Sequence, residues 1–306
     1  EEKEFQRLWW NSEKYTPEGI VAGSAMWDSI ITGPTESSVQ YPYEGLNKLT
    51  FGIRMGELIT IAAGSGLGKS SFMREIAYHI LNNTDHNIGL LFLEESVRRT
   101  AQAIVGLDMN KPIHLPNFDY TEEEIKASFK NTLEKDRLFF FDHFGSNSID
   151  NIISRVRYMV RALNCKYIFL DHISILVSDQ TQLDERKALD EIMTRLRTLV
   201  QELDICMFVA SHLKRVDYGH EEGGRTKLNQ LRGSGSIGQL SDIVLGLERD
   251  GQATDMRDRH TTTVRVIKNR FSGLTGPSNK LFYDLNTGRL SEIALNHDDE
   301  LESEDF

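Results

Sequence analysis

An α/β fold with a mostly parallel sheet covered by helices on both faces is what this sequence predicts, on three observations. Between Leu58 and Ser71 an apolar, β-branched run leads into a glycine-rich turn and then a helix-forming stretch. From residue 87 to 248, apolar runs of strand length alternate with segments of helical periodicity. The composition, 39% apolar and 26% charged over 306 residues, suits one large α/β domain with extensions better than two full domains. No apolar run approaches the length of a membrane span and no signal-peptide pattern is present. The first residue is Glu1 rather than Met, so a piece of a longer chain is expected.

Residues 1–45 read as an arm. Phe5, Leu8, Trp9 and Trp10 form an apolar stripe on a short helix, and a stretch punctuated by Pro34 and Pro42 follows. Such a helix either packs on its own domain or docks on a neighbouring subunit.

Residues 46–290 read as the domain proper. Its first strand ends in Gly64, Ser65, Gly66, Leu67 and Gly68, and a helix opens at Lys69, Ser70 and Ser71. The glycines let the backbone curl so that consecutive N–H groups point at the outer phosphates of a nucleoside triphosphate. The helix N-terminus adds partial positive charge. Lys69 then reaches the phosphates, and the Ser70 hydroxyl is a ligand for Mg²⁺. The full spacing of such a loop asks for glycine at 63, where this chain has Ala63.

Asn87–Glu95 follows as a buried strand ending in two carboxylates, then a helix over about 98–108 and a loop holding Pro112 and Pro116. Thr121 and Glu124 make a capping box for the next helix. Leu138–His143 is expected as a strand, Ser148–Leu163 as a helix, Lys166–Val177 as a strand and Asp184–Leu203 as a helix. Strands are expected at Cys206–His212, Asp242–Glu248 and Thr262–Arg270, with a closing hairpin over Leu281–Leu290 that turns at Asn286, Thr287 and Gly288. Cys165 and Cys206 lie on buried strands without partners at ligand spacing, as small core residues of a reducing compartment do.

In an open parallel sheet, ligands sit beyond the carboxyl ends of the strands. One apolar strand ends in Asp171, the acid that completes a Mg²⁺ shell beside a phosphate loop. The next position, where many such motors carry the water-activating glutamate, is His172. The base must come from another strand end, and Glu94 or Glu95 supplies it; periodicity does not choose between them. His212 ends a further strand, as a γ-phosphate sensor or as a satisfied polar group. Arg270 is either an arginine that reaches a neighbour's nucleotide or an ordinary surface residue. A polar, glycine-rich loop over Asp217–Gly238 contains Arg232, which with the following amides suits a phosphodiester backbone.

These phrases, in this order over about residues 45–290, resemble the ring-shaped replicative DNA helicases with a RecA-like P-loop core. The likeness is strongest to the helicase half of the bifunctional primase–helicases of short-tailed phages. The matching stretches are 64–70, 93–97, 170–175, 184–187, 211–214, 220–223, 231–235, 239–242, 247–249 and 270–273. The resemblance implies that Glu94 rather than Glu95 is the base, that His212 is the sensor, and that Arg270 acts in trans. It implies that Arg249 and Tyr283 sandwich the base, and that Lys214, Arg232, Gly233 and Ser234 hold single-stranded DNA. Between Lys214 and His220 the family is lysine-rich and slightly longer, so Arg215 stands in for a lysine there. A homo-hexamer using ATP or dTTP with Mg²⁺ and moving 5′ to 3′ is implied, in the cytoplasm of a bacterial host, with a possible fused upstream primase. The rivals on the same core are a filament-forming recombinase and a signalling or clock-type ATPase.

The net charge of −11 falls to −4 without the seven carboxylates of residues 291–306, and residues 211–290 carry a local +4. A basic region beside a separable acidic tail is compatible with a polyanionic partner. The tail reads as disordered, and in similar phage helicases a tail ending in an aromatic, here Phe306, docks on the replicative polymerase.

Overall fold

The computed structural model describes residues 21–32, 37–116, 118–143, 148–177, 182–213, 224–230 and 235–293, the side chains of 182–185 and 229 excepted. Two compact units divide between Glu36 and Ser37. In the first, a 3-10 turn over Gly23–Met26 runs into a short helix, α1 (Trp27–Ile31), on which Trp27, Ile30 and Ile31 are exposed. The apolar stripe expected at Phe5, Leu8, Trp9 and Trp10 lies outside the described residues.

The second unit contains residues 37–45, assigned above to the arm. Tyr41 and Tyr43 are buried in its core, and the Tyr43 ring stacks on Phe72 at 5.5 Å. A helix, α2 (Glu44–Thr50), leads to β1 (Leu58–Ala63) and α3 (Lys69–Asn83). Then come β2 (Asn87–Phe92), α4 (Val97–Met109), α5 (Glu122–Asn131), β3 (Leu138–Phe140), α6 (Ile149–Arg161) and β4 (Cys165–Asp171). The chain continues through α7 (Gln182–Leu203), β5 (Cys206–His212), α8 (Gly235–Leu240), β6 (Ile243–Glu248), α9 (Met256–Arg259) and β7 (Thr261–Asn269). It closes with β8 (Gly276–Tyr283) and β9 (Leu290–Ile293).

The strands form one nine-stranded sheet in the order β3-β2-β4-β5-β1-β6-β7-β8-β9. The first six in that order are parallel; β7, β8 and β9 add antiparallel strands. Helices cover both faces because alternate strand residues feed two cores. Ile59, Ile61, Phe169 and Phe208 pack with Phe72, Ile76 and Ile80 of α3. Leu58, Ile168, Leu170 and Val209 pack on the other face with Ile152 and Val156 of α6 and Leu196 and Val200 of α7. Both cysteines are buried thiols on their strands. No helix of the described residues is long and apolar enough to cross a membrane.

One helix start carries the capping box read from the sequence, and a second carries a cap that was not read from it. Thr121 and Glu124 complete the capping box of α5, and Ser148 accepts from Asn151 N–H at the start of α6. Three expectations need correction. The apolar run 166–177 is not one strand: it leaves the sheet at Asp171, and Ile173–Val177 is a 3-10 turn whose Ile173 and Val177 join the core against α7. Periodicity cannot separate two such segments when both are buried. The strand expected over 138–143 stops at Phe140, on the sheet edge, where only β2 offers it hydrogen bonds. The loop over 217–238 is not structureless where it is described, because Leu228–Gln230 is a 3-10 turn and α8 begins at Gly235.

Candidate active site

Register brings distant residues together at the carboxyl ends of the parallel strands. Ala63 pairs with His212 across β1 and β5, and Phe92 pairs with Asp171 across β2 and β4. The order β2-β4-β5-β1 therefore sets Glu94, Asp171, His172, His212 and the loop before Lys69 side by side. Ala63, in the position that asked for glycine, is an ordinary buried strand residue. The conformational demand falls on Gly66 and Gly68, at φ 71° and 88°. A Cβ at either would meet nothing within 4 Å, so these glycines answer to backbone conformation rather than to crowding.

Lys69 opens α3 and is buried. Its Nζ donates to the Gly64 carbonyl at 2.9 Å and lies 3.1 Å from His212 Nδ1. Burial lowers its pKa to about 8, against the opposing pull of Asp171 and Glu94. Ser70 donates its hydroxyl to the Asp171 carboxylate. Burial holds the Asp171 carboxyl above its ordinary range, while the Ser70 hydrogen bond, His172 and Lys69 act the other way. A hydroxyl and a buried carboxylate in contact are hard oxygen donors of the kind Mg²⁺ takes, and a cation would relieve the cost of that buried charge. The residues fit the ion. Gly64 is half-buried and Ser65 exposed on the loop.

The two carboxylates after β2 have different surroundings. Glu95 is tied to Arg74 at 2.6 Å, to the Thr100 hydroxyl at 2.7 Å and more loosely to Arg99. Glu94 is more exposed, and its Oε1 lies 2.7 Å from His172 Nε2. The His172 ring meets the His212 ring edge-on, with centroids 4.1 Å apart. Sequence reading placed His172 only as the residue that is not a glutamate; its contact with Glu94 crosses two strands and has no local signal.

Beside the loop, Gly66, Leu67, Gly68, Ser71, Phe72, Arg249 and Tyr283 line a cleft of about 540 Å³ of empty space, partly open to solvent. Arg249 donates to the Gly66 carbonyl at 2.6 Å, while its Nε is buried without a partner among the described residues. The cleft thus joins the phosphate loop to the Arg249 and Tyr283 pair. Thr262, Leu247 and Leu281 also line it, on strands β7, β6 and β8, and carried no motif that would have picked them out.

Arg270 is elsewhere. It follows β7, where Ile243 pairs with Asn269 and Ile59 with Ile243, so it lies level with the start of β1. Its guanidinium is 3.2 Å from Asp242 Oδ1 and donates to the Gln239 carbonyl at 2.9 Å. The length of β1, roughly 17 Å at about 3.3 Å per residue, separates it from its own phosphate loop. Lys214, Arg215, Arg232, Gly233, Ser234 and Phe306 lie outside the described residues.

The family described as DnaB-like helicase C terminal domain matches residues 38–291. The chain is 35% identical over 302 residues to the DNA helicase/primase of Enterobacteria phage T3, across 95% of this chain and 52% of that protein. It is 24% identical over 249 residues to the replicative DNA helicase DnaB of Geobacillus stearothermophilus, across 79% of this chain and 53% of that protein. The chain spans about half the length of these curated relatives. Among solved structures, a DnaB-like replicative helicase, described with its interactions with primase, aligns with a TM-score of 0.72 at 19% identity. That alignment covers 96% of this chain and 71% of the other, a likeness of fold.

Proposed function

The chain belongs to the DnaB-like helicase C-terminal domain family, and on that premise we propose that it is the motor of a replicative DNA helicase. It hydrolyses ATP or dTTP at the interfaces of a homo-hexameric ring and uses the cycle to move 5′ to 3′ along single-stranded DNA, parting the duplex ahead. One observation carries this reading furthest: Arg270 sits at the opposite end of the sheet from its own phosphate loop. An arginine so placed serves a triphosphate only if that triphosphate belongs to another copy.

The chemistry divides among this chain's residues. The amides at Gly66–Gly68 and the start of α3 receive the phosphates, and Lys69 neutralises charge on the outer ones. Arg249 and Tyr283 hold the base in the cleft beside the loop. Ser70 and Asp171 would hold Mg²⁺, which when bound supplies charge neutralisation across the outer phosphates. Glu94 takes the proton of the attacking water, and a neighbour's Arg270 stabilises the charge that develops on the transferred group. His212, 3.1 Å from Lys69, stands where loss of the outer phosphate changes its partners. Lys214, Arg215, Arg232, Gly233 and Ser234 are the DNA-contacting residues of this reading. The acidic tail with Phe306 docks on a replicative polymerase, and the protein works in the cytoplasm of a bacterial host.

The test is a nucleoside triphosphatase assay with and without single-stranded DNA, run beside particle imaging with nucleotide bound. DNA-stimulated hydrolysis by closed six-fold particles is the expected result. Helical polymers would instead favour a recombinase-like filament, and hydrolysis indifferent to DNA would favour a non-DNA ATPase of the same fold.

A further inference from the structure

We propose that His172 is a positioning residue for hydrolysis, holding the Glu94 carboxylate in its working place and joining it to His212 and Lys69. The inference rests on the hydrolase reading above. Four side chains from four elements stand in line. Lys69 Nζ is 3.1 Å from His212 Nδ1, the His212 and His172 rings meet at 83° with centroids 4.1 Å apart, and His172 Nε2 is 2.7 Å from Glu94 Oε1.

The two ends of the last contact differ in freedom. Glu94 sits on the turn after β2 with its side chain 57% exposed, so by itself it would sample many rotamers. His172 is buried directly after β4, its ring packed edge-on against His212. One hydrogen bond from a fixed ring to one oxygen pins the carboxylate and leaves Oε2 for the water. A carboxylate only accepts, so the ring nitrogen facing it carries the proton. The other ring nitrogen, Nδ1, is buried without a partner among the described residues. A histidine kept for packing alone would be poorly chosen here, because an orphaned buried nitrogen costs stability that an apolar side chain of similar size does not. The ring's directed contact is with Glu94.

Turnover and nucleotide affinity of the full chain, with Mg²⁺ and saturating single-stranded DNA, test this in wild type, His172→Leu and His172→Gln. The leucine variant is expected to fold with unreduced thermal stability and to lose about 100-fold in kcat, the usual cost of a displaced reacting group. Its KM for nucleotide should stay within about threefold, the mark of an interaction that matters only in the transition state. The glutamine variant, whose amide N–H reaches the place of Nε2, should recover about tenfold or more of the loss. A leucine variant with wild-type kcat, a KM that rises in step with the loss, or a glutamine variant as slow as leucine would each overturn the proposal. A wild-type chain that does not hydrolyse would overturn the hydrolase reading and this inference together, whereas unaffected turnover in the leucine variant of an active chain overturns this inference alone.

Discussion

The two ends of the sheet are both rich in buried charge, yet they are finished differently. At the amino ends of the strands the charged groups have their partners. Asp242 accepts from the Leu58 N–H at 2.8 Å, from Arg197 and from Arg270. Lys268 donates to the carbonyls of Gly238, Gln239 and Ser241 at 2.6, 3.0 and 2.7 Å, satisfying the C-terminal end of α8. Arg54 is held by Glu57 at 2.7 Å and by the Thr50 carbonyl at 2.7 Å, with its guanidinium over the Phe271 ring. At the carboxyl ends, His172 Nδ1, Ser174 Oγ and Arg249 Nε are buried without partners among the described residues, and Lys69 sits in surroundings that pull its pKa down to about 8. Folded proteins leave few buried polar atoms unpaired. The charged groups of the amino end are thus paired within the chain, although the Tyr41 hydroxyl beside Glu57 is also buried without a partner among the described residues, whereas at the carboxyl end a ring nitrogen and a guanidinium nitrogen are left unpaired.

Arg270 is the residue that could break this comparison, since it belongs to the paired end and is nonetheless assigned to catalysis. Arg270→Ala is expected to lower kcat by about 10³-fold or more, the range of an arginine that stabilises phosphoryl transfer. In mixed assemblies, wild-type neighbours should restore turnover at sites formed between mutant and wild-type copies, and titrating one chain into the other measures it. A mutant that keeps full activity would return Arg270 to the structural end of the molecule.

Glu94→Gln sharpens the other end. Hydrolysis should fall by about 10² to 10⁴-fold, as removal of a general base does, while nucleotide binding measured by equilibrium titration stays intact. The amide oxygen still accepts from His172, so the local structure survives. Loss of binding in parallel would remove Glu94 from the role of base.

Asp242→Ala probes the paired end for what pairing is worth. It strips Arg197, the half-exposed Arg270 and the Leu58 N–H of their shared acceptor. A loss of about 3–5 kcal/mol in urea unfolding is expected, the scale for breaking a buried pair. The matching change at Glu95, which is itself more exposed than Asp242 and accepts from no backbone N–H among the described residues, should cost less.

The smallest expected effect is a proton. Burial lowers the Lys69 pKa to about 8, and a triphosphate favours the charged form and raises it again. Nucleotide binding should therefore take up a fraction of a proton at pH values from about 8 upward and none well below, where the lysine is charged in both states. Calorimetric titration in buffers of different ionisation enthalpy reads this directly. Proton release in that window would contradict the placement of Lys69 under the phosphates.

Local pattern was enough for the glycine-rich turn before Lys69, the alternation of strands and helices, the capping box at Thr121, and hence an α/β sheet covered on both faces. Each of these rests on neighbours a few residues apart: turn conformation, apolar period, an orphan N–H at a helix start. Long-range packing separated the surroundings of Glu94 from those of Glu95, stopped β4 at Asp171 and set Arg270 across the sheet from its own loop. It also brought His172 against a glutamate 78 residues earlier in the chain. Those outcomes depend on strand order and register, which follow from how two cores pack on opposite faces of one sheet, and packing between distant segments leaves no periodic trace in any one of them.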